Sequence, residues 1–313
     1  MNRSDINHAP ALPPPLNIEP DFDTPSSTLP LRFTISSFTI TLCIIFVSIR
    51  MYVRIRIQKS FNLDDCKLLG TQKRHHHANT PPGALLFAAA GFIAYTSLLI
   101  FVGLLGDGKH QWNIAMPNFM RIARYVNIVE ILYGPVTFCA KYAVLRQLQS
   151  LFFSHRKKNI TYKAIEALIW ANLLFYVATT FLFLFICTPR EKIWNFAVEG
   201  HCLSHNDVVV TTPAINLLSD VTILLIPIAE VYKLQIPIKT KLNMAAIFAV
   251  GLLSVVFAII RLYYSIQLKH TDDLTWALPP VNDWGLGEII TVILVACLPY
   301  APAVSRLTRQ SKI

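Results

Sequence analysis

Residues Asn216–Val231 read NLLSDVTILLIPIAEV, an almost wholly aliphatic run that carries a carboxylate, Asp220, well inside it, besides Glu230 at its end. An ionisable group in lipid is costly, and one that persists there faces the inside of a helix bundle, where it pairs or acts. The stretch therefore decides two things together: whether the chain spans a membrane, and what meets Asp220.

Working outward, the 313 residues are 54% apolar and only 15% charged, well below the quarter charged of soluble proteins. The apolar residues come in blocks, and about 20 of them in a row cross the hydrocarbon layer as a helix. Seven blocks are expected to be helices: 31–53, 84–105, 125–148, 164–186, 208–231, 244–266 and 286–307. None alternates with the two-residue period of a barrel strand. The expected fold is all-α, a seven-transmembrane helix bundle over 31–309. Residues 1–30 hold seven of the 19 prolines and no apolar run, the composition of a disordered tail. They have no basic start or short apolar core of a signal peptide.

Loop charges give the orientation. With the N-terminus outside, 18 of the 28 basic residues fall on inner segments and seven on outer ones. The positive-inside rule then places the N-terminus outside and the C-terminus in the cytoplasm. The formal net charge of +10 is mostly inner-loop charge facing anionic lipid, so the expected partner is the bilayer and not nucleic acid. Cys187 and Cys202 both fall in the outer loop CTPREKIWNFAVEGHC, on the oxidising side, where a disulfide is expected. Cys43, Cys139 and Cys297 lie inside spans as small packing residues.

Five ionisable residues are singled out inside spans: Glu130, Lys141, Asp220, Arg261 and Glu288. At about 1.5 Å per residue, Asp220 and Lys141 come within about a turn of the same depth. Arg261 and Glu288 are read near the outer ends of the sixth and seventh helices. Such pairs either fix helix packing or line a polar cavity, and the residues alone leave both open.

Enzyme chemistry is not expected. No histidine falls in a predicted span, so no intramembrane metal site is expected; the triplet His75–His77 lies in a polar loop. There is no Gly-rich phosphate loop and no GxSxG element. The seventh span has no lysine for a retinal Schiff base, and no cofactor is expected.

Several short motifs occur in order: RMYVRIRIQKSFNLDDC, GDGKHQW, EILYGPVTFCAKYAVL, the Cys187–Cys202 loop with Trp194, SDVTILLIPI, DLTW and DWGLGEIITVILVACLPYAP. Over roughly Arg32–Arg309 the chain resembles the fungal rhodopsin-domain integral membrane proteins, which include Pth-type receptors like the G-protein-coupled class. The resemblance implies a seven-helix bundle, N-terminus outside, with a receptor-like role. It maps the family pattern onto Arg50, Arg54, Asp64, Asp65, Gly106, Gly108, His110, Lys141, Cys187, Trp194, Cys202, Asp220, Pro227, Arg261, Trp284, Glu288 and Pro299. In one departure, Lys67–Ala84 (KLLGTQKRHHHANTPPGA) separates the Leu-Asp-Asp element from the second helix, so 67–84 is expected to be an insertion in the first inner loop. The inner end of the third span lacks an acidic-Arg-aromatic triplet. The functional expectation is a sensor of an extracellular ligand in the plasma membrane, with a cytoplasmic signalling partner. The alternative is a transporter or channel using the intramembrane charges.

Overall fold

The computed structural model describes residues 10–16, 19–22, 24–58, 82–153, 160–231 and 238–300. Asp64, Asp65, His75–His77, residues 67–81 of the suspected insertion, 1–9 of the tail and 301–309 lie outside the described residues. Seven long helices run in order: α1 Leu29–Gln58, α2 Pro82–Leu105, α3 Met116–Phe153, α4 Ile160–Leu184, α5 His205–Val231, α6 Ile238–Leu268 and α7 Leu274–Cys297. Each is long and apolar enough to cross a membrane, and the chain is a seven-helix bundle. One end of the bundle carries the disulfide loop between α4 and α5; the other is called here the basic end.

Burial separates central helices from lipid-facing ones. About half or more of the most apolar stretch is buried in α3 (50%) and α7 (61%), against 22%, 22% and 17% in α4, α5 and α6. Leu253, Val256, Tyr263 and Ile266 of α6 stay exposed, as expected of side chains whose solvent is hydrocarbon rather than water. The core joins Leu85, Phe92 and Leu99 of α2, Val136, Ala140 and Ala143 of α3, and Leu286, Ile289 and Ile293 of α7, with Cys43 and Val47 of α1 beside them.

Two helix bounds correct the sequence reading. The third helix begins at Met116 rather than 125, because Phe119, Ile122 and Val126 pack with Val102 and Ile114 while Arg121 and Arg124 break the apolar run that a span search follows. The seventh is Leu274–Cys297 rather than 286–307. Its first turns, LTWALPPVND, are too polar and proline-rich to count as apolar, yet their polar groups are met by a neighbouring loop. Pro279 has no N–H for the carbonyl of Thr275; that carbonyl accepts instead from the Gly108 N–H at 2.8 Å.

Part of the tail expected to be disordered (1–30) is seated on the disulfide end. Ala11 donates to the Ile114 carbonyl at 2.9 Å and packs on the Phe119–Ile122 cluster, and the Asp21 N–H donates to Asn113 Oδ1 at 3.0 Å. Proline-restricted backbone loses little entropy when it docks, which is why so polar a segment can hold there.

Between α4 and α5, β1 (Cys187–Thr188) pairs antiparallel with β2 (His201–Cys202), Cys187 opposite Cys202, and the two cysteines form a disulfide. Phe196 stacks on Phe119 at 5.7 Å and Arg124 lies 5.3 Å over the Trp194 ring, so the loop is tied to α3. Closing a loop of this length contributes about 3 kcal/mol in the chain-entropy model. Both thiols are expected to resist alkylation in the oxidised protein and to label after reduction; labelling of both without reductant would remove the bridge.

Candidate functional site

The site is a polar cluster buried in the apolar bundle. On α3, Tyr133 and Lys141 are eight residues apart and so lie on one face, two turns from each other. On α5, Asn216 and Asp220 are one turn apart. Lys141 Nζ is 2.7 Å from Asp220 Oδ1, with the Lys141 and Asp220 side chains 1% and 5% exposed. Arg261 Nη1 of α6 is 3.2 Å from Glu288 Oε2 of α7. The structure thus places both opposite-charge pairs side by side, and it puts Glu288 in the middle of α7 rather than near its end, because the helix starts at Leu274.

Asn216 joins the two pairs. Its Oδ1 accepts from Lys141 Nζ at 2.8 Å and from the Tyr176 hydroxyl at 2.5 Å. Its Nδ2 donates to Glu288 Oε1 at 2.6 Å and to Asp220 Oδ2 at 3.4 Å. A carboxamide has two lone pairs and two protons to offer, and all four are used. A carboxylate here would add a third negative charge, and an aliphatic side chain would leave the ammonium and both carboxylates short of a partner. The Tyr133 hydroxyl donates to Glu288 Oε1 at 2.8 Å and accepts from Arg261 Nη1, whose guanidinium lies 4.1 Å over the Tyr133 ring. Two cations and two carboxylates from α3, α5, α6 and α7, with Tyr176 of α4, therefore form one continuous network.

On the disulfide side of this network is a cavity of about 50 Å³, whose lining includes Tyr95, Glu130, Tyr133, Tyr176, Asn216, Arg261 and Asn282. Phe175, Phe183, Val209 and Leu278 give it apolar walls. Glu130 belongs to this lining and not to either ion pair. At this size the cavity has room for a few water molecules or one small polar group.

The loop GDGKHQW forms a second polar centre at the disulfide end. Gly106 and Gly108 have φ of 122° and 95°, a region that favours glycine. They turn the chain so that Arg32 of α1 reaches Asp107 at 2.6 Å and Asp283 of α7 at 3.2 Å. Burial pushes the Asp107 carboxyl above the usual carboxylate range, and the Arg32 guanidinium pulls it back. His110 Nδ1 is 2.6 Å from Asp273 Oδ2, and its ring is sandwiched between Trp112 at 4.4 Å and Trp276 at 4.2 Å. The motifs GDGKHQW and DLTW, far apart in sequence, are thus one contact.

At the basic end, buried Arg50 donates to Gln147 Oε1 at 2.9 Å and to the Ala296 carbonyl, covering the C-terminus of α7, where a cation suits the exposed carbonyls. Its guanidinium lies 4.7 Å over the Tyr300 ring, next to Pro299 in the turn Leu298–Tyr300. Arg54 is also buried, Trp284 packs on Phe257 at 5.6 Å, and Pro227 lies within α5. Sequence reasoning missed Asn216, Tyr133, Tyr176, Arg32, Asp107, Asp273 and Asp283 as parts of these centres. Arg32 gave a signal, a cation at the start of an apolar block; neutral Asn216 and the two tyrosines gave none.

The description "Fungal rhodopsin domain" matches residues 49–306. The chain is similar to the "SAT4 family membrane protein" of Emericella nidulans, 38% identical over 213 residues, covering 68% of this chain and 54% of that relative. It is also similar to "Fugralins biosynthesis cluster protein 2" of Gibberella zeae, 25% identical over 96% of this chain and 71% of that protein. A third relative, "Satratoxin biosynthesis SC1 cluster protein 4" of Stachybotrys chartarum, is 28% identical over 51% of this chain and 56% of its own length. The chain thus spans about half the length of two of these curated relatives. No solved structure matches.

Proposed function

The chain belongs to the fungal rhodopsin domain family, and on that premise we propose that this multi-pass membrane protein is a receptor, without enzymatic activity, for a small organic molecule arriving at the disulfide end. The observation that carries the reading is the cavity whose floor is the polar network. A molecule entering it meets Tyr133, Tyr176, Asn216 and Arg261, and through Asn216 it bears on Lys141–Asp220, nearer the basic end. An ion pair that can rearrange is the kind of two-state element a receptor needs. Two relatives are named for biosynthesis clusters, of fugralins and of satratoxin; a biosynthetic product is the class of cue these names support for this chain.

The proposed topology puts the N-terminus and disulfide loop outside, the C-terminus in the cytoplasm facing a signalling partner, and the protein in the plasma membrane. It rests on the sequence distribution of basic residues, 18 of 28 of which fall on the segments this topology puts inside. A tag after Ile313 is expected to survive protease in sealed right-side-out vesicles, and its digestion would reverse the topology. The function is tested by exposing cells that express the protein, lack it, or express Asn216→Ala at equal membrane level to small-molecule fractions of culture medium. A response confined to the first is expected. Transport is the competing reading. Protein-dependent flux of a component of any fraction into vesicles, with no cellular response to any fraction, would overturn the receptor.

A further inference from the structure

Two buried donors at this cavity have no hydrogen-bond partner among the described residues: Arg261 Nε and Asn282 Nδ2. Both residues line it. Arg261 is engaged through Nη1 with Glu288 and Tyr133, so the ion pair leaves its Nε to one side. A buried donor left unmatched is destabilising, and an acceptor placed there would relieve that cost. Gly285, a turn beyond Val281 and Asn282, borders these lining residues and leaves room for about one methyl-sized group. A Cβ built on Gly285 would lie 3.6 Å from Arg261 Nε and 3.7 Å from Tyr95 Oη. The absence of a side chain at Gly285 leaves open the spot that both groups border.

The chemistry of an occupant follows from charge and size. The network already matches two cations with two carboxylates. An anionic ligand would therefore enter an electrostatically closed site and lose its hydration without gaining a counter-charge. A neutral carbonyl oxygen can accept from either donor and has no charge to desolvate. The cavity is about 50 Å³, against roughly 150 Å³ for one that holds benzene. It seats a polar head, and Phe183, Val209 and Leu278, the apolar part of its lining, meet the first carbons of the body. We propose that the space bounded by Arg261, Asn282, Tyr95 and Gly285 is a binding site for the carbonyl head of a neutral, otherwise apolar small molecule. This deepens the receptor reading and rests on it only for its biological use.

The test uses full-length protein in lipid nanodiscs and three probes of one chain length: 2-octanone, octanoate and octane. Saturable thermal stabilisation by 2-octanone is expected, with octanoate at least tenfold weaker and octane giving no saturable effect. Gly285→Ala meets its nearest neighbours at ordinary van der Waals distance, so the fold should tolerate it while the ketone binds tenfold or more weaker. Asn282→Leu removes one donor without touching Gly285 and should weaken the ketone alone. Equal stabilisation by octane, octanoate binding as well as the ketone, or ketone binding unchanged in both variants would each overturn the site. The readout needs no signalling: ketone binding without a cellular response sinks the receptor and keeps the site. A cellular response without ketone binding does the reverse.

Discussion

Asp220→Asn in the full-length protein is expected to lower unfolding free energy by about 3–5 kcal/mol, because it leaves the Lys141 ammonium buried without its counter-charge. Lys141 Nζ then keeps the Asn216 side-chain oxygen at 2.8 Å and carbonyl at 3.4 Å and the Tyr176 ring at 5.8 Å, none of which carries a full negative charge. Lys141→Met is expected to cost a similar amount by stranding the carboxylate. The double substitution removes both charges and should cost clearly less than the sum of the singles. Folded yield in detergent and the thermal midpoint check this; strictly additive losses would mean that the two side chains do not interact.

Arg32→Leu should be as damaging, since Arg32 answers two carboxylates, Asp107 at 2.6 Å and Asp283 at 3.2 Å. The loss should also depend on pH. A carboxyl raised above its unfolded value binds more protons in the folded state, so stability falls as pH rises from the ordinary carboxylate range to the folded value. Burial already raises Asp107 and Arg32 holds it down; without Arg32 that window extends upward. The variant is therefore expected to regain part of its stability as pH is lowered from 8 to 6, by at most about 1.4 kcal/mol per unit for each proton. The wild type should change less over the same range. A loss with no pH dependence would mean that Asp107 finds another cation.

The number of spans was legible in composition, because hydrocarbon thickness dictates helix length and water cannot satisfy a backbone inside it. The start of α7 was not. Its first turns are polar, and only the GDGKHQW loop folded against them makes a helix there sound; Gly108 donating to the Thr275 carbonyl is a contact no local window contains. Charges inside spans pointed to Lys141, Asp220, Arg261 and Glu288 because a charge in lipid is rare enough to notice. Asn216 joins them and escaped notice, since one neutral amide on an apolar helix is unremarkable until its four partners are in place. Tyr133 and Tyr176 escaped for the same reason: an aromatic ring in a span reads as core, and only the placement of its hydroxyl makes it part of a site.

Whether the two ion pairs form one unit through Asn216 is decided by a double-mutant cycle across that bridge. Unfolding free energies would be measured for Asp220→Asn, Glu288→Gln and the pair, with Asn216 intact and in an Asn216→Ala background. With Asn216 present, the two substitutions are expected to couple by about 1 kcal/mol or more, as members of one hydrogen-bond network do; in the Ala background the coupling should vanish. Additivity within about 0.5 kcal/mol in both backgrounds would contradict the account and leave two separate ion pairs that share only a neighbourhood.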